Sequence, residues 1–133
     1  GLVPGALLRN KYLEFICKNV FVKLDNKDST YFKNLDKNVL KFHIAHNEGN
    51  YFCTQDQLKE IEDNNQIAIY YCSNTGQVED KFNPNGSIKN IAGIFNKEKN
   101  VLGMMPHPER MIDQSLSGED GSLFFKNLIN NIK

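Results

Sequence analysis

Five short apolar segments, separated by polar stretches rich in Asn and Gly, constrain the fold of this chain more than any other feature. The segments span residues 13–24, 39–53, 67–72, 91–95 and 101–105. The second segment contains a strand, then a polar interruption at residues 46–50, then the aromatic pair at residues 51–52. Side chains two residues apart share one face of a strand, and apolar residues alternate in this way at Val20, Val22 and Leu24. The pattern predicts strands, with a bulge in the first segment where the alternation changes phase after Cys17. Each segment is shorter than the roughly 18 apolar residues of a membrane-spanning helix.

Two further segments have the signatures of helices. Thr54 is followed three residues later by Gln57, which is a capping-box pattern and predicts a helix over residues 55–63. Residues 122–133 are predicted to form a terminal amphipathic helix that packs on the core. Its apolar stripe comprises Leu123, Phe124, Leu128 and Ile132. Turns are predicted at residues 74–76, 83–86 and 96–100. The chain of 133 residues is thus predicted to be a single mixed α/β unit with more strand than helix.

The charge balance and the cysteines narrow the class of protein. Sixteen Lys and Arg residues offset sixteen Asp and Glu residues, and the formal net charge is zero. A nucleic-acid-binding protein usually carries a basic excess, so no nucleic-acid partner is expected, and no membrane association either. The three cysteines, Cys17, Cys53 and Cys72, are odd in number and lack C-x-x-C spacing. This pattern favours a reducing compartment, and a cytoplasmic location is expected.

The stretch around His107 is the most informative for chemistry. An apolar segment stops at Pro106, and His107 then stands between Pro106 and Pro108, which fix the backbone on both sides. Ligands often bind at strand ends in open α/β sheets. In an extended segment Glu109 would project to the same side as His107 and accept its Nδ1 proton, leaving Nε2 free as a base. The alternative interpretation is a surface histidine beside a Glu109–Arg110 ion pair.

A second polar cluster contains His43, His46 and Glu48, followed by Gly49. A zinc site could recruit these side chains with Cys53 or His107. Strand alternation, however, puts His43 and His46 on opposite faces, and no metal is expected in the site. The glycine instead indicates a backbone that a small ligand approaches closely. The alternative is a solvated turn before Tyr51.

Four blocks carry a resemblance that covers nearly all 133 residues. They are residues 4–10 (PGALLRN), 44–51 (IAHNEGNY), 83–94 (NPNGS followed by NIAGI) and 104–110 (MMPHPER). In this order the blocks resemble the glutaminase of phosphoribosylformylglycinamidine synthase. That glutaminase is a class I, triad-type glutamine amidotransferase of purine biosynthesis.

The resemblance implies a fold and a site. The fold would be the class I glutamine amidotransferase-like, flavodoxin-like α/β sheet with flanking helices, and residues 1–133 would be the C-terminal portion of that domain. His107 would be the general base and acid, and Glu109 would orient it. The glutamine pocket would include the loop residues His46, Glu48 and Gly49.

The resemblance also implies what lies outside the chain. The family's nucleophile is a cysteine in a G-x-C-x-G elbow, and none of Cys17, Cys53 and Cys72 is flanked by glycine. The nucleophile and the oxyanion-hole loop are therefore expected in a missing N-terminal half of the domain, and this chain alone is expected to be inactive. No cofactor is expected in this chain, because ATP and Mg²⁺ would belong to a synthetase subunit or domain that receives the ammonia.

Two other functions stay open at this stage. The chain could be a truncated, non-catalytic binding module that docks on the synthetase partner. It could also be a related amidotransferase that serves another pathway, although only the His107-x-Glu109 pattern supports that alternative.

Overall fold

A computed structural model describes residues 1–132 of the chain, which form seven strands, two α-helices and four short 3-10 turns. The strands are β1 (Ala6–Leu8), β2 (Ile16–Leu24), β3 (Val39–His46), β4 (Asn50–Phe52), β5 (Ile67–Cys72), β6 (Ile91–Phe95) and β7 (Leu102–Met104). The helices are α1 (Gln55–Asp63) and α2 (Asp120–Ile132). The 3-10 turns are Asp80–Phe82, Ile88–Asn90, Pro108–Arg110 and Gln114–Leu116. The predicted mixed α/β class is confirmed.

Five of the strands form one sheet in the order β3-β2-β5-β6-β7, and each adjacent pair is antiparallel. Strands β1 and β4 pair separately. Because directions alternate across the sheet, the carboxyl ends of β3, β5 and β7 lie at the same end. The chain that leaves edge strand β7 then forms an isolated antiparallel bridge from His107 to His43 on the other edge strand, β3. The sheet is therefore curled, and its two edges meet beside His107.

The predicted bulge in β2 is wrong. The register between β2 and β3 is unbroken from Ile16, opposite His46, to Lys23, opposite Val39. The alternation changes phase because the first part of β2 extends beyond the core. Cys17 is exposed in that part, whereas Val20 and the later apolar residues of the strand are buried.

The core has two clusters of buried apolar residues. The larger cluster takes side chains from β2, β3, β5 and β6 and from Phe124 of α2. The smaller cluster takes Leu58 and Ile61, which are the thin apolar face predicted for α1. The predicted capping box is present, with the Thr54 hydroxyl and the Gln57 side chain each accepting a hydrogen bond from the other residue's backbone N–H.

The predicted terminal helix is present as α2, but it buries only part of the predicted apolar stripe. It begins at Asp120 and buries Gly121, Phe124 and Asn127, while Leu123 and Ile132 are exposed. Asn127 donates a side-chain hydrogen bond to the backbone oxygen of Tyr31, at 3.1 Å. The apolar stripe predicted the buried face only in part, because a glycine contact and an amide hydrogen bond also contribute to the docking of the helix. Residues 1–132 contain no helix long and apolar enough to cross a membrane.

Candidate functional site

His107 and Glu109 are in direct contact. The Nδ1–H of His107 donates a hydrogen bond to Oε1 of Glu109, at 2.6 Å. The His107 side chain is 35% exposed and that of Glu109 is 57% exposed. Within residues 1–132, Nε2 of His107 has no hydrogen-bond partner, so it is free to exchange a proton with a ligand or another side chain.

The backbone that carries this pair is not the extended segment that was predicted. His107 is extended, with φ −104° and ψ 91°, but Pro108–Arg110 forms one 3-10 turn. The turn is closed by the N–H of Met111 on the carbonyl of Pro108, at 3.0 Å. The first turn of α2 then abuts it, since the N–H of Gly121 donates to the carbonyl of Met111, at 2.8 Å. Tertiary contacts as well as the prolines therefore hold the His107 loop.

The alternative ion pair between Glu109 and Arg110 is absent. Among the described residues Arg110 forms no ion pair, and the Glu109 carboxylate faces His107. The N–H of His107 also donates to the carbonyl of His43 on β3, at 2.7 Å. His107 is therefore held in two ways. Its backbone is hydrogen-bonded to β3, and its ring is hydrogen-bonded to the carboxylate of Glu109.

The loop that follows β3 lies at the same end of the sheet as His107. His46 is three residues beyond His43 on β3, which is about 10 Å along a strand. His43 and His46 point to opposite faces of the sheet, as the alternation predicted. His46 is accordingly buried, whereas His43 is half-buried. Burial lowers the pKa of His46, and the charge of His107 acts in the same direction.

Within this loop the three predicted binding residues have different surroundings. The ring of His46 is buried, and both of its nitrogens lack a hydrogen-bond partner. The ring lies directly on Gly49, where an added Cβ would be 2.1 Å from Cε1 of His46. Gly49 is also buried, whereas Glu48 is exposed. Of the three residues, only Glu48 presents substantial surface to a ligand or a partner.

Asn10 holds this loop in place through side-chain hydrogen bonds. This role was not predicted from the sequence. Its buried amide Nδ2 donates to the carbonyl of His46, at 2.8 Å, and to that of Glu14, at 2.7 Å. Its Oδ1 accepts the N–H of Gly49, at 2.9 Å. The only sequence signal was its place at the end of the block at residues 4–10.

We expect Asn10→Ala to destabilise the fold and open the loop. The substitution leaves the buried N–H of Gly49 without a partner and removes the side-chain hydrogen bond to the carbonyl of His46, so the free energy of unfolding should fall by about 2–3 kcal/mol. Urea denaturation measures this loss, and hydrogen exchange at the Gly49 amide should become faster. The matched control is Asn47→Ala, which removes an exposed amide from the same loop. Equal effects from the two variants would contradict this role for Asn10.

The predicted zinc alternative has no support in the geometry. Within residues 1–132, no group of three or more His, Cys, Asp or Glu side chains is arranged to hold a metal ion. His43 instead contacts Cys17 and Asn19 through its two ring nitrogens.

Comparison with known proteins identifies the family. Residues 3–119 match the family described as a CobB/CobQ-like glutamine amidotransferase domain. The chain belongs to this family. The resemblance found in the sequence is confirmed, and the amidotransferase fold with it, because the chain is also similar to a chain in the structure of PurLQS from Thermotoga maritima. That similarity has a TM-score of 0.80 at 35% identity, over 100% of this chain and 55% of that chain.

Two curated relatives of this amidotransferase carry the same name. The chain is 73% identical over 133 residues to the phosphoribosylformylglycinamidine synthase subunit PurQ of Pelagibacter ubique (strain HTCC1062). It is 45% identical over 130 residues to the subunit of that name from Aquifex aeolicus (strain VF5). The chain spans 59% of the Pelagibacter protein and 57% of the Aquifex protein.

Proposed function

We propose that this amidotransferase chain takes part in glutamine hydrolysis. The ammonia released is then used to convert formylglycinamide ribonucleotide to its amidine in purine biosynthesis. The names of both curated relatives support this reaction. The observation that carries the proposal is the 2.6 Å hydrogen bond between His107 and Glu109, which leaves Nε2 unpaired.

In this mechanism His107 moves protons. A thiolate attacks the glutamine amide, and the amide nitrogen leaves as ammonia once it has been protonated. Nε2 of His107 takes the thiol proton, gives a proton to the departing ammonia and then activates the water that cleaves the thioester. The Glu109 carboxylate holds the ring through Nδ1 and stabilises the imidazolium.

The thiol is not one of the three cysteines in this chain. Cys53 and Cys72 are buried, and burial raises the pKa of both thiols, that of Cys72 to about 11. Cys17 is exposed, but its hydrogen-bond partner is His43 rather than His107. The nucleophile is therefore supplied by residues outside these 133.

The loop after β3 forms one wall of the glutamine pocket in this proposal. Gly49 and the buried ring of His46 hold the loop's shape, and the exposed carboxylate of Glu48 is the group that can contact the α-ammonium of glutamine or a partner. Of the loop residues predicted to bind substrate, His46 thus acts as a support.

The partner of the reaction is a synthetase subunit or domain, which would bind ATP and Mg²⁺ and use the ammonia. The similarity to a chain of PurLQS, a protein whose name joins PurQ to further components, supports such a partner. We place the reaction in the cytoplasm, because all three cysteines are free thiols. The second candidate, a non-catalytic module that docks on the synthetase, has no observation in its favour comparable to the His107–Glu109 pair.

The test compares this chain with a chimera in which the part of the Pelagibacter ubique protein that it does not cover is joined to it. The chain alone should release no ammonia from glutamine, whereas the chimera with its synthetase should do so. Ammonia release by the chain alone that persists when Cys17, Cys53 and Cys72 are all replaced by Ser would refute the assignment of the nucleophile. A folded chimera that binds the synthetase but never hydrolyses glutamine would favour the binding module.

A further inference from the structure

We propose that Cys17, His43 and Asn19 form a second nucleophilic site, whose thiol exchanges with small anionic disulfides. Its reacting groups are distinct from the His107–Glu109 pair of the proposed glutaminase chemistry, although Glu109 also lines the cavity beside them. Its product would be a mixed disulfide on Cys17.

The pairing of β2 with β3 brings the three side chains together. Asn19 is directly opposite His43 in the antiparallel register. Cys17 lies two residues before Asn19 on β2, so its side chain emerges on the same face of the sheet. The arrangement therefore depends on two regular strands, which hold side chains more firmly than a loop would.

Both ring nitrogens of His43 have partners within this group. Nδ1 is 3.0 Å from Oδ1 of Asn19, and Nε2 is 3.4 Å from Sγ of Cys17. An amide oxygen only accepts hydrogen bonds, so the ring proton is assigned to Nδ1. Nε2 then carries a lone pair that accepts the Cys17 S–H. A thiol, an imidazole and an orienting amide in this order are the parts of an activated nucleophile.

The surroundings of His43 favour its unprotonated form. Burial lowers the pKa of His43, and the charges of Arg110 and His107 act in the same direction. The unprotonated ring is the form that accepts the thiol proton. Of the three cysteines, Cys17 is the one that an external reagent can reach, because Cys53 and Cys72 are buried.

An open cavity beside the group indicates the kind of disulfide that fits. The cavity has a volume of about 540 Å³, and Asn19 and His43 contribute to its lining. Lys18 and Arg110 add two positive charges against the one negative charge of Glu109, so the lining carries a net positive charge of one. A disulfide that carries carboxylates, of the size of oxidised glutathione, matches this lining.

The exchange step balances without any further reagent. The S–H proton of Cys17 passes to Nε2 of His43 as its sulfur attacks one sulfur of the disulfide. A new S–S bond forms to Cys17 while the original S–S bond breaks. The departing thiolate then takes the proton from His43, so the products are the mixed disulfide and one free thiol.

The experiment treats the 133-residue chain with oxidised glutathione at pH 7 and follows the adduct by intact-mass and peptide mass spectrometry. One glutathione should attach, at Cys17, faster than to free cysteine. His43→Gln should slow the reaction about tenfold or more, and Asn19→Ala should slow it by a smaller factor. Lys23→Gln is the matched control, since it lies on the same face of β2 six residues away and should leave the rate unchanged.

A second disulfide reagent and a check of folding make the outcome decisive. Cystamine, a cationic disulfide, should react more slowly than oxidised glutathione, and the opposite preference would overturn the assignment to anionic disulfides. Circular dichroism checks that each variant is folded. A Cys17 rate equal to that of free cysteine, unchanged in folded His43→Gln and Asn19→Ala, would overturn the nucleophilic site. An adduct at Cys53 or Cys72 instead of Cys17 would do the same.

Discussion

His107→Ala in the chimera with the Pelagibacter ubique protein is expected to abolish glutamine hydrolysis. No other histidine in the described part of the chain has one ring nitrogen bonded to a carboxylate and the other ring nitrogen unpaired. Residues that act together in proton transfer lose most of their joint effect when one is removed, so kcat should fall by about 10³-fold or more. Steady-state ammonia release with saturating glutamine measures this loss.

Glu109→Gln should have a milder effect in the same assay. The amide oxygen can still accept the Nδ1–H of His107, so the ring stays oriented, but the imidazolium loses a neighbouring negative charge. Arg110→Gln is the matched control, because Arg110 lies in the same 3-10 turn and forms no ion pair within residues 1–132. If His107→Ala and Glu109→Gln both keep the parent kcat, the assignment of this pair is wrong.

Gly121→Ala is expected to destabilise the protein and displace the His107 loop. A Cβ at position 121 would lie 1.8 Å from the backbone oxygen of Pro108 and 2.8 Å from that of Met111. Both contacts are with backbone, which cannot move aside as a flexible side chain would. The turn that carries Glu109 must therefore shift away from α2, at a cost of about 3 kcal/mol in the free energy of unfolding.

Urea denaturation of the chain tests the stability effect, and kcat of the chimera tests the displacement. Gly103→Ala is the matched control, because an added Cβ there has ordinary contacts, the nearest being 3.7 Å from Cγ2 of Val3. If both glycine variants unfold at the same urea concentration as the parent, then the packing of α2 does not hold the turn.

Some of this protein could be predicted from short stretches of sequence. The strands β3, β5 and β6, the capped helix α1 and the hairpin of β6 with β7 were predicted within a residue or two. Their signals lie within a few neighbouring residues, as in the reciprocal hydrogen bonds of Thr54 and Gln57. The contact between His107 and Glu109 was also predicted, because only one residue separates the two.

Other features could not be predicted, because their partners are distant in the chain. The buried face of α2 depends on a glycine against Pro108 and an amide bonded to Tyr31, which an apolar stripe does not reveal. The unbroken register of β2 was hidden because the strand extends beyond the core, where alternation no longer reports burial.

The sequence by itself determined the family and the residues around His107, since ordered blocks of residues specify both. Only the tertiary structure decided how those residues are held and what else lies nearby. Asn10 reaches Gly49 across 39 positions, and His43 reaches Cys17 across 26. Such contacts form only when the sheet has paired in one register and curled until its edges meet at His43 and His107. The physical reason is that pairing and packing fix distances that no local pattern encodes.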